Sequence, residues 1–171
     1  MKKVLLSVLF AIAMTIGANA QKFALIDMEY ILKNIPNYEM ANEQLNTISK
    51  KWQNEVEALQ QEAQNLYKQY QADLVFLSAE MKTKREQAVV AKEQEAQELK
   101  RKYFGSEGEL FKKREALVKP VQDEVYNAVK EISEQKGYSI IVDRASAMSV
   151  IYASPKIDIS NEVLQKLGYL K

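Results

Sequence analysis

Apolar and small residues recur at steps of three and four along a long stretch of the chain. The stripe consists of these positions: Tyr38, Ala41, Leu45, Ile48, Trp52, Val56, Leu59, Ala63, Leu66, Tyr70, Leu74 and Leu77. Their mean spacing of about 3.5 residues lies between the coiled-coil period and the free-helix period. No Gly or Pro falls between Asn37 and Ser78, so the pattern predicts one helix of roughly 60 Å. Such a helix is too long for a compact core and too polar for a bilayer, so it is predicted to be an arm or a rod.

A second helix is predicted to run back along the first. Ser78 is a residue type that caps helices, and it stands directly before a helical stretch that begins at Ala79. A tight turn near Leu77 to Met81 would make an antiparallel helical hairpin, although a single continuous helix is the alternative. Folding back about residue 79 would place the acidic Glu57 beside Lys100-Arg101-Lys102, and this charge pattern favours the hairpin modestly.

The second helix has a thin apolar seam and two irregular points. Between Lys82 and Lys102 the seam consists only of Ala88, Val89, Ala96 and Leu99. Gly105 and Gly108 follow, and each glycine costs a helix roughly 1 kcal/mol relative to alanine. They are either a weak turn that a long helix tolerates or a hinge that lets the arm bend. Pro120 lacks a backbone N–H and is expected to kink or restart the helix. The hinge candidates are therefore Gly105, Gly108 and Pro120.

Short apolar runs at the two ends of the chain predict a small β body. The predicted elements, in order, are a strand at Lys22 to Asp27, a helical turn at Met28 to Lys33, strands at Tyr138 to Asp143 and Ser149 to Tyr152, and a helix at Asn161 to Leu167. Gly137 and Gly168 are expected to end helices, and Ser160 to cap the last one. An apolar stripe resumes at about residues 118–136 and is expected to pack against this body.

The elements together predict an α+β fold. A long antiparallel, coiled-coil-like helical hairpin (residues 37–136) is inserted in a small β body (residues 21–36 and 137–171) that carries a terminal helix. Three short strands make a marginal sheet with exposed edges. We therefore expect the body to close by association with further copies of the chain.

The first 20 residues have the pattern of a secretory signal peptide. Met1-Lys2-Lys3 gives a positive start, and an apolar run follows from Val4 to Gly17. Ala18 and Ala20 form a small-x-small cleavage site before Gln21, which is the expected first residue of the mature chain. The alternative, a single membrane anchor, requires a longer apolar run. The chain has no cysteine to carry a lipid anchor.

Composition argues against most enzyme classes. The chain has no His and no Cys, which removes the commonest general base, the commonest metal ligand and any disulfide. No cofactor is expected. Asp27 and Asp143 each follow an apolar strand and could be interpreted as a catalytic pair, but a hydrogen-bonded cap at a strand end is favoured. The formal net charge is +1, and loss of Lys2 and Lys3 leaves the mature chain nearly neutral, so nothing predicts binding to nucleic acid.

The chain resembles the Skp/OmpH family of periplasmic chaperones of Gram-negative bacteria over essentially its whole mature length. Three kinds of segment carry the resemblance: the first strand with the turn into the arm, Pro120-Val121 in the returning helix, and the last strands with the terminal helix. In this sequence they are Phe23-Ala24-Leu25-Ile26-Asp27-Met28-Glu29, Ile35-Pro36-Asn37-Tyr38, Pro120-Val121, Gly137-Tyr138, Ile140-Ile141-Val142-Asp143 and Asp158-Ile159-Ser160-Asn161-Glu162-Val163-Leu164. The order of signal peptide, strand, long hairpin, strands and terminal helix is also similar.

The resemblance implies a homotrimer whose three arms enclose a cavity. It also implies an ATP-independent holdase that keeps unfolded outer-membrane proteins soluble in the periplasm, with no catalytic residues. The candidate client contacts on the arm are Tyr67, Tyr70, Phe76, Leu77, Met81 and Val89. Well-known family members are markedly basic and this chain is not, which puts contact with lipopolysaccharide or an anionic membrane in doubt. The alternative function is a coiled-coil spacer or adaptor in the envelope, with one specific folded partner.

Overall fold

The computed structural model describes residues 22–147 and 150–170 of the 171-residue chain. These residues are mostly helical and contain a small sheet. The elements in chain order are β1 (Lys22–Ile26), α1 (Met28–Lys33), α2 (Pro36–Asp73), α3 (Ala79–Phe104), α4 (Glu109–Lys136), β2 (Tyr138–Asp143), a 3₁₀ turn (Pro155–Ile157) and α5 (Ser160–Lys166). The predicted signal peptide and its cleavage site lie outside the described residues.

The described residues divide into two compact units. The body unit contains residues 22–31 and 125–170, and the arm unit contains Leu32–Glu124. Helix α4 contributes its first part to the arm unit and its last part to the body unit.

The body unit is built on two parallel strands from opposite ends of the chain. Leu25 pairs with Val142 and Ile26 with Asp143, in one parallel ladder. The other edge of β1 carries one further bridge, in which the Ile159 N–H donates to the Leu25 carbonyl at 2.9 Å. Strand β1 is therefore central and covered on both sides. The most deeply buried side chains of the unit are those of Ala24 on β1 and of Ile31, Val125, Val163 and Leu164.

Asp27 and Asp143 cap backbone groups at the ends of the two strands, as the sequence predicts. The Asp27 carboxylate accepts from the Tyr30 N–H at 2.8 Å, in the first turn of α1. Asp143 accepts from the N–H of Met28 at 3.0 Å and of Ala145 at 3.1 Å. The free N–H groups at a helix start need such acceptors. Both carboxylates are therefore occupied in positioning backbone.

Two predictions for the body are wrong. Residues 150–152, which were expected to form the third strand, form none. In place of a third strand, Asp158 forms a single isolated β-bridge with Leu25. A hydrogen-bonded 3₁₀ turn at Pro155–Ile157 leads directly into that bridge. Ser160 does not cap α5, because it is the first helical residue and Ile159 holds the cap position. The Ser160 hydroxyl instead accepts from the Asp27 N–H at 2.8 Å and donates to Asp158 at 2.6 Å.

The arm unit contains the antiparallel hairpin that the apolar spacing predicts. All positions of the predicted stripe are buried or half-buried. The turn occupies residues 74–78, and the Ser78 hydroxyl accepts from the Met81 N–H at 3.3 Å, as expected of a cap. Nearer the start of α2, Ala41 and Leu45 pack against Val118 of α4. The continuous-helix alternative is therefore wrong.

The returning helix is interrupted once, at the two glycines. Helix α3 ends at Phe104 and α4 begins at Glu109, so Gly105 and Gly108 are not absorbed into one long helix. Helix α4 continues through Pro120 without a restart. Gly137 and Gly168 follow helix ends with positive φ angles of 69° and 82°, which is the conformation expected at such ends.

Replacement of Asp143 tests the cap in the body. Burial raises the pKa of Asp143, but hydrogen bonds from Met28, Ser146 and Ala145 outweigh it and hold the pKa below the usual 3.8. The stabilisation is therefore present above that value and is lost as the pH falls through the lowered pKa. We expect Asp143→Ala to lower the free energy of unfolding by about 1–2 kcal/mol at neutral pH, measured by urea denaturation. Asp143→Asn, which keeps an acceptor oxygen, is the control, and an equal loss in both variants would contradict the cap.

Candidate functional site

The surface that could hold a partner is the hairpin of α2 and α3, and its geometry follows from a sparse seam. Val56, Ala63 and Tyr70 are buried on α2 at intervals of seven residues, and Val89 and Ala96 are buried on α3 with the same interval. Such spacing keeps one face of each helix toward the other. The side chains in the middle of the seam are alanines, which bury little apolar area. The hairpin therefore needs other contacts to fix its register.

Polar contacts between the two helices supply that register. The Tyr70 hydroxyl donates to Glu86 at 2.5 Å. Lys92 lies 3.2 Å from Glu62, and Arg85 lies 3.8 Å from Asp73. Along these contacts the residue numbers on α2 decrease as those on α3 increase, as expected for two antiparallel helices. The charged pairs are partly exposed, so each contributes little free energy, and together they select one register.

An aromatic pair holds the hairpin at the end opposite the turn. The rings of Trp52 on α2 and Tyr103 on α3 stack with centroids 4.5 Å apart and planes 6° apart. The Tyr103 hydroxyl donates to Glu55 at 2.6 Å. Stacking stabilises such a pair beyond the area that it buries, and a hydrogen bond to a charged group is stronger than one between neutral groups. We name Trp52, Glu55 and Tyr103 the clasp.

The two tyrosines that bond across the hairpin, Tyr70 and Tyr103, both have raised pKa values. The hydrogen bond to Glu86, followed by burial and the negative charge of Glu86, raises the pKa of Tyr70 above 10.0. The hydrogen bond to Glu55, followed by burial and the charge of Glu55, raises the pKa of Tyr103 in the same way. A carboxylate acceptor favours the protonated phenol, because the phenolate has no proton to donate and repels the carboxylate. Both tyrosine hydroxyls therefore act as hydrogen-bond donors.

The predicted client-contact residues divide into an exposed and a covered group. Phe76 is 86% exposed in the turn, Tyr67 and Met81 are about half-exposed, and Leu77 is half-buried. Val75, which the sequence analysis did not name, is 87% exposed beside Phe76. Tyr70 and Val89 lie inside the seam. A partner would reach those two only where the helices separate.

The predicted hinge glycines sit in a closely packed connection. A Cβ at Gly105 would lie 2.5 Å from the Arg101 carbonyl oxygen, and one at Gly108 would lie 2.8 Å from the Tyr103 carbonyl oxygen. The Gly108 N–H donates to the Gly105 carbonyl at 2.9 Å. Only glycine fits such an approach without a shift of the backbone. The predicted third hinge residue, Pro120, lies within α4.

A shallow groove of about 260 Å³ lies between α2 and α3 beside the clasp. Its lining residues are Gln53, Val56, Glu57, Gln60, Lys100 and Phe104. Glu57 and Lys100 share this groove, which agrees with the register that the charge pattern predicts. Its polar groups are side-chain amides and one charge of each sign, so it is suited to weak contacts with a polypeptide.

The clasp is the part of the site that the sequence analysis missed. Trp52 was included only as a stripe position, and neither Glu55 nor Tyr103 was singled out. The signal was available, because Tyr103 follows Val89 and Ala96 at the same interval of seven residues. A tyrosine at a seam position, opposite a helix that offers a glutamate, predicts a hydrogen bond between the helices.

The hydropathy of the helices and the grouping of carboxylates bear on two other kinds of site. Among residues 22–147 and 150–170, no helix is both long and apolar enough to cross a membrane. Within the same ranges, no three carboxylates are grouped in a way that could hold a metal ion.

Comparisons with known proteins agree with one another. The family model described as "Outer membrane protein (OmpH-like)" matches residues 22–167. The chain is 27% identical over 171 residues to the chaperone protein Skp of Yersinia enterocolitica, covering 98% of this chain and 99% of that protein. It is 24% identical over 157 residues to Skp of Pectobacterium atrosepticum, covering 86% of each.

A solved structure has the same fold. The crystal structure of an OmpH-like outer membrane chaperone from Caulobacter crescentus matches with a TM-score of 0.65 at 16% identity. The match covers 88% of this chain and 86% of that one.

Alkaline titration tests the two tyrosine bonds. A raised pKa in the folded state means that the stabilisation is complete below pH 10.0 and is lost as the pH rises through the raised value. We expect Tyr70 and Tyr103 to ionise late in the ultraviolet absorbance of tyrosinate, with loss of helical circular dichroism in the same range. Tyr70→Phe with Tyr103→Phe should remove the late step, and Tyr126→Phe should leave it. A late step that survives in the double variant would contradict the assignment.

Proposed function

Because the chain belongs to the OmpH-like outer membrane protein family, we propose that it is an ATP-independent holdase that binds unfolded outer-membrane proteins in the periplasm. The observation that carries the proposal is a long helical hairpin with a sparse seam whose turn exposes apolar side chains. Relatives that match nearly the full length are chaperones by name. The leader with Ala18 and Ala20 before Gln21 supports export, with cleavage at that point.

The exposed apolar side chains near the hairpin turn are the proposed contacts for clients. Phe76, Tyr67, Met81 and Leu77 offer adaptable or amphipathic surface, which suits partners of varied sequence. Tyr70 and Val89 would join them where the hairpin opens. Each contact is weak, but several arms that act on one unfolded chain raise the overall affinity through effective concentration. Release then needs no nucleotide, because the contacts break one at a time.

Association into a homotrimer is proposed for the body. No described residue pairs with the outer edge of β2, and a two-stranded sheet is marginal by itself. Ile151 is 99% exposed, Tyr152 84% and Ile140 51%. An open strand edge and exposed apolar side chains in the same unit favour pairing with another copy. The trimer would bring several arms around one client.

Bending of the arm is proposed at the interruption and at the proline. Gly105 and Gly108 lie where helical hydrogen bonding is interrupted, so the chain between α3 and α4 has fewer bonds to hold it straight. Pro120 removes one donor from α4. Movement at these points would let the arm adapt to clients of different size.

A light-scattering experiment on a sizing column tests the holdase. The mature protein is run alone and then with a urea-denatured outer-membrane barrel protein diluted into buffer. We expect the mass to rise by one client, which stays soluble. Phe76→Ser with Met81→Ser should weaken client binding roughly tenfold, since two partly buried apolar contacts are lost. Met40→Ser, which changes a residue 59% exposed elsewhere on α2, is the matched control. Precipitation of the client beside an unchanged chaperone peak would overturn the holdase and favour the spacer.

The same column tests the trimer. We expect Ile151→Ser with Tyr152→Ser to shift the mass from trimer to monomer at micromolar concentration, because these are the most exposed apolar side chains of the body. Helical circular dichroism should be retained, since the arm does not depend on those residues. Tyr126→Ser, which changes a residue 64% exposed on α4, is the control. A monomeric mass for the unaltered protein would contradict association.

A further inference from the structure

The two ends of the hairpin are fastened differently from its middle. At the turn, Tyr70 bonds to Glu86, and at the other end Tyr103 bonds to Glu55 and stacks on Trp52. Between them the seam buries Val56, Ala63, Val89 and Ala96, and the Lys92 ammonium lies 3.2 Å from Glu62. Alanine pairs contribute little apolar area, so they resist separation less than larger side chains do. The tyrosine hydrogen bonds between α2 and α3 therefore lie at the two ends of a seam whose centre is occupied by alanines.

Tyr103 connects the clasp to the interruption of the returning helix. It is the second-to-last residue of α3, and its carbonyl oxygen lies 2.8 Å from the position that a Cβ of Gly108 would take. Its ring is also perpendicular to that of Phe104, with centroids 6.3 Å apart. A rearrangement of the connection at 105–108 therefore moves Tyr103, and a displaced Tyr103 cannot keep both its stack and its hydrogen bond.

The clasp is accessible enough to open. Trp52, Glu55 and Tyr103 are all half-buried, so water can replace the Tyr103 hydroxyl at Glu55 without leaving a buried carboxylate unsatisfied. The Lys102 ammonium lies 5.9 Å from the Tyr103 ring. This cation stays in solvent whether the clasp is closed or open. Opening therefore breaks a defined set of contacts and buries no charge.

We propose that the clasp is a conformational latch, closed in the free protein and opened when a client is bound. In the closed state it holds the end of α3 against α2 and fixes the connection to α4. In the open state the end of α3 is released, the two helices separate from that end, and the covered Val56, which follows Glu55, becomes reachable. This inference rests on the proposed holdase function, since the client is the partner that opens the latch.

Trp52 is the single tryptophan of the chain, so its fluorescence reports on the latch directly. The whole mature protein is mixed with a denatured outer-membrane barrel protein whose tryptophans have been replaced by phenylalanine. We expect quenching of Trp52 by acrylamide to increase roughly twofold when the client is bound, because a half-buried ring becomes exposed. A client that merely covered Trp52 would decrease quenching, so the direction separates opening from direct contact.

Three variants test the assignment to Tyr103. Tyr103→Leu removes the stack and the hydrogen bond, and its client-free quenching should already equal that of the client-bound protein. Tyr103→Phe keeps the ring and loses the hydroxyl, so it should be intermediate; it decides the outcome if the leucine variant does not fold. Tyr70→Phe, which removes the other tyrosine bond at a distance from Trp52, should behave as the unaltered protein.

The outcomes separate this inference from the function on which it rests. A client that stays soluble while Trp52 quenching is unchanged or reduced would overturn the latch and leave the holdase standing. A client that precipitates in the presence of the unaltered protein would overturn both. A soluble client with increased quenching, absent in the leucine variant, is the expected result.

Discussion

The structure depends on how two long helices stay in register with little apolar surface between them. An amphipathic helix usually gains its stability from a broad apolar face, and α3 buries only Val89 and Ala96 on that face. The deficit is met by hydrogen bonds and ion pairs that join side chains of α2 and α3 at spaced points. Such bonds are directional, so they specify register well while they contribute modest free energy. In such a hairpin the register of the two helices is well defined, although little free energy opposes their separation.

The body solves a different problem, which is how to join the two ends of the chain. Strand β1 has β2 on one side and the bridge at Asp158 on the other. Arg144 reinforces this arrangement, with its guanidinium 3.1 Å from Asp27 and 3.4 Å from Asp158. The Ser160 hydroxyl links the same two segments through hydrogen bonds. The polar groups at this junction therefore satisfy one another and hold three distant stretches of chain together.

The elements that could be predicted from the sequence are those governed by local rules. The apolar period of α2, the Ser78 cap and the glycines at 137 and 168 each act over a few residues, and the structure has them where they were expected. The prediction of a third strand at Ser149 to Tyr152 was wrong because a short apolar run forms a strand only where another strand is in place to pair with it. The prediction that Ser160 caps the last helix was wrong because its hydroxyl accepts instead from the backbone N–H of Asp27, which is far away in sequence. The clasp was missed because stacking depends on the register between helices, which no single segment encodes.

The pairing of β1 with β2 has a consequence for the order in which the chain folds. Met28 and Asp143 meet although they are 115 positions apart in the sequence, so the first strand has no neighbour until most of the polypeptide has been made. The hairpin of α2 and α3 consists of contacts much closer in sequence, and such contacts form faster. Local helices therefore precede the sheet, and the closing of β1 between its two neighbours is the last step. Loss of the residues that follow α4 would then leave a nearly complete arm unit without the strand and the bridge between which β1 is held.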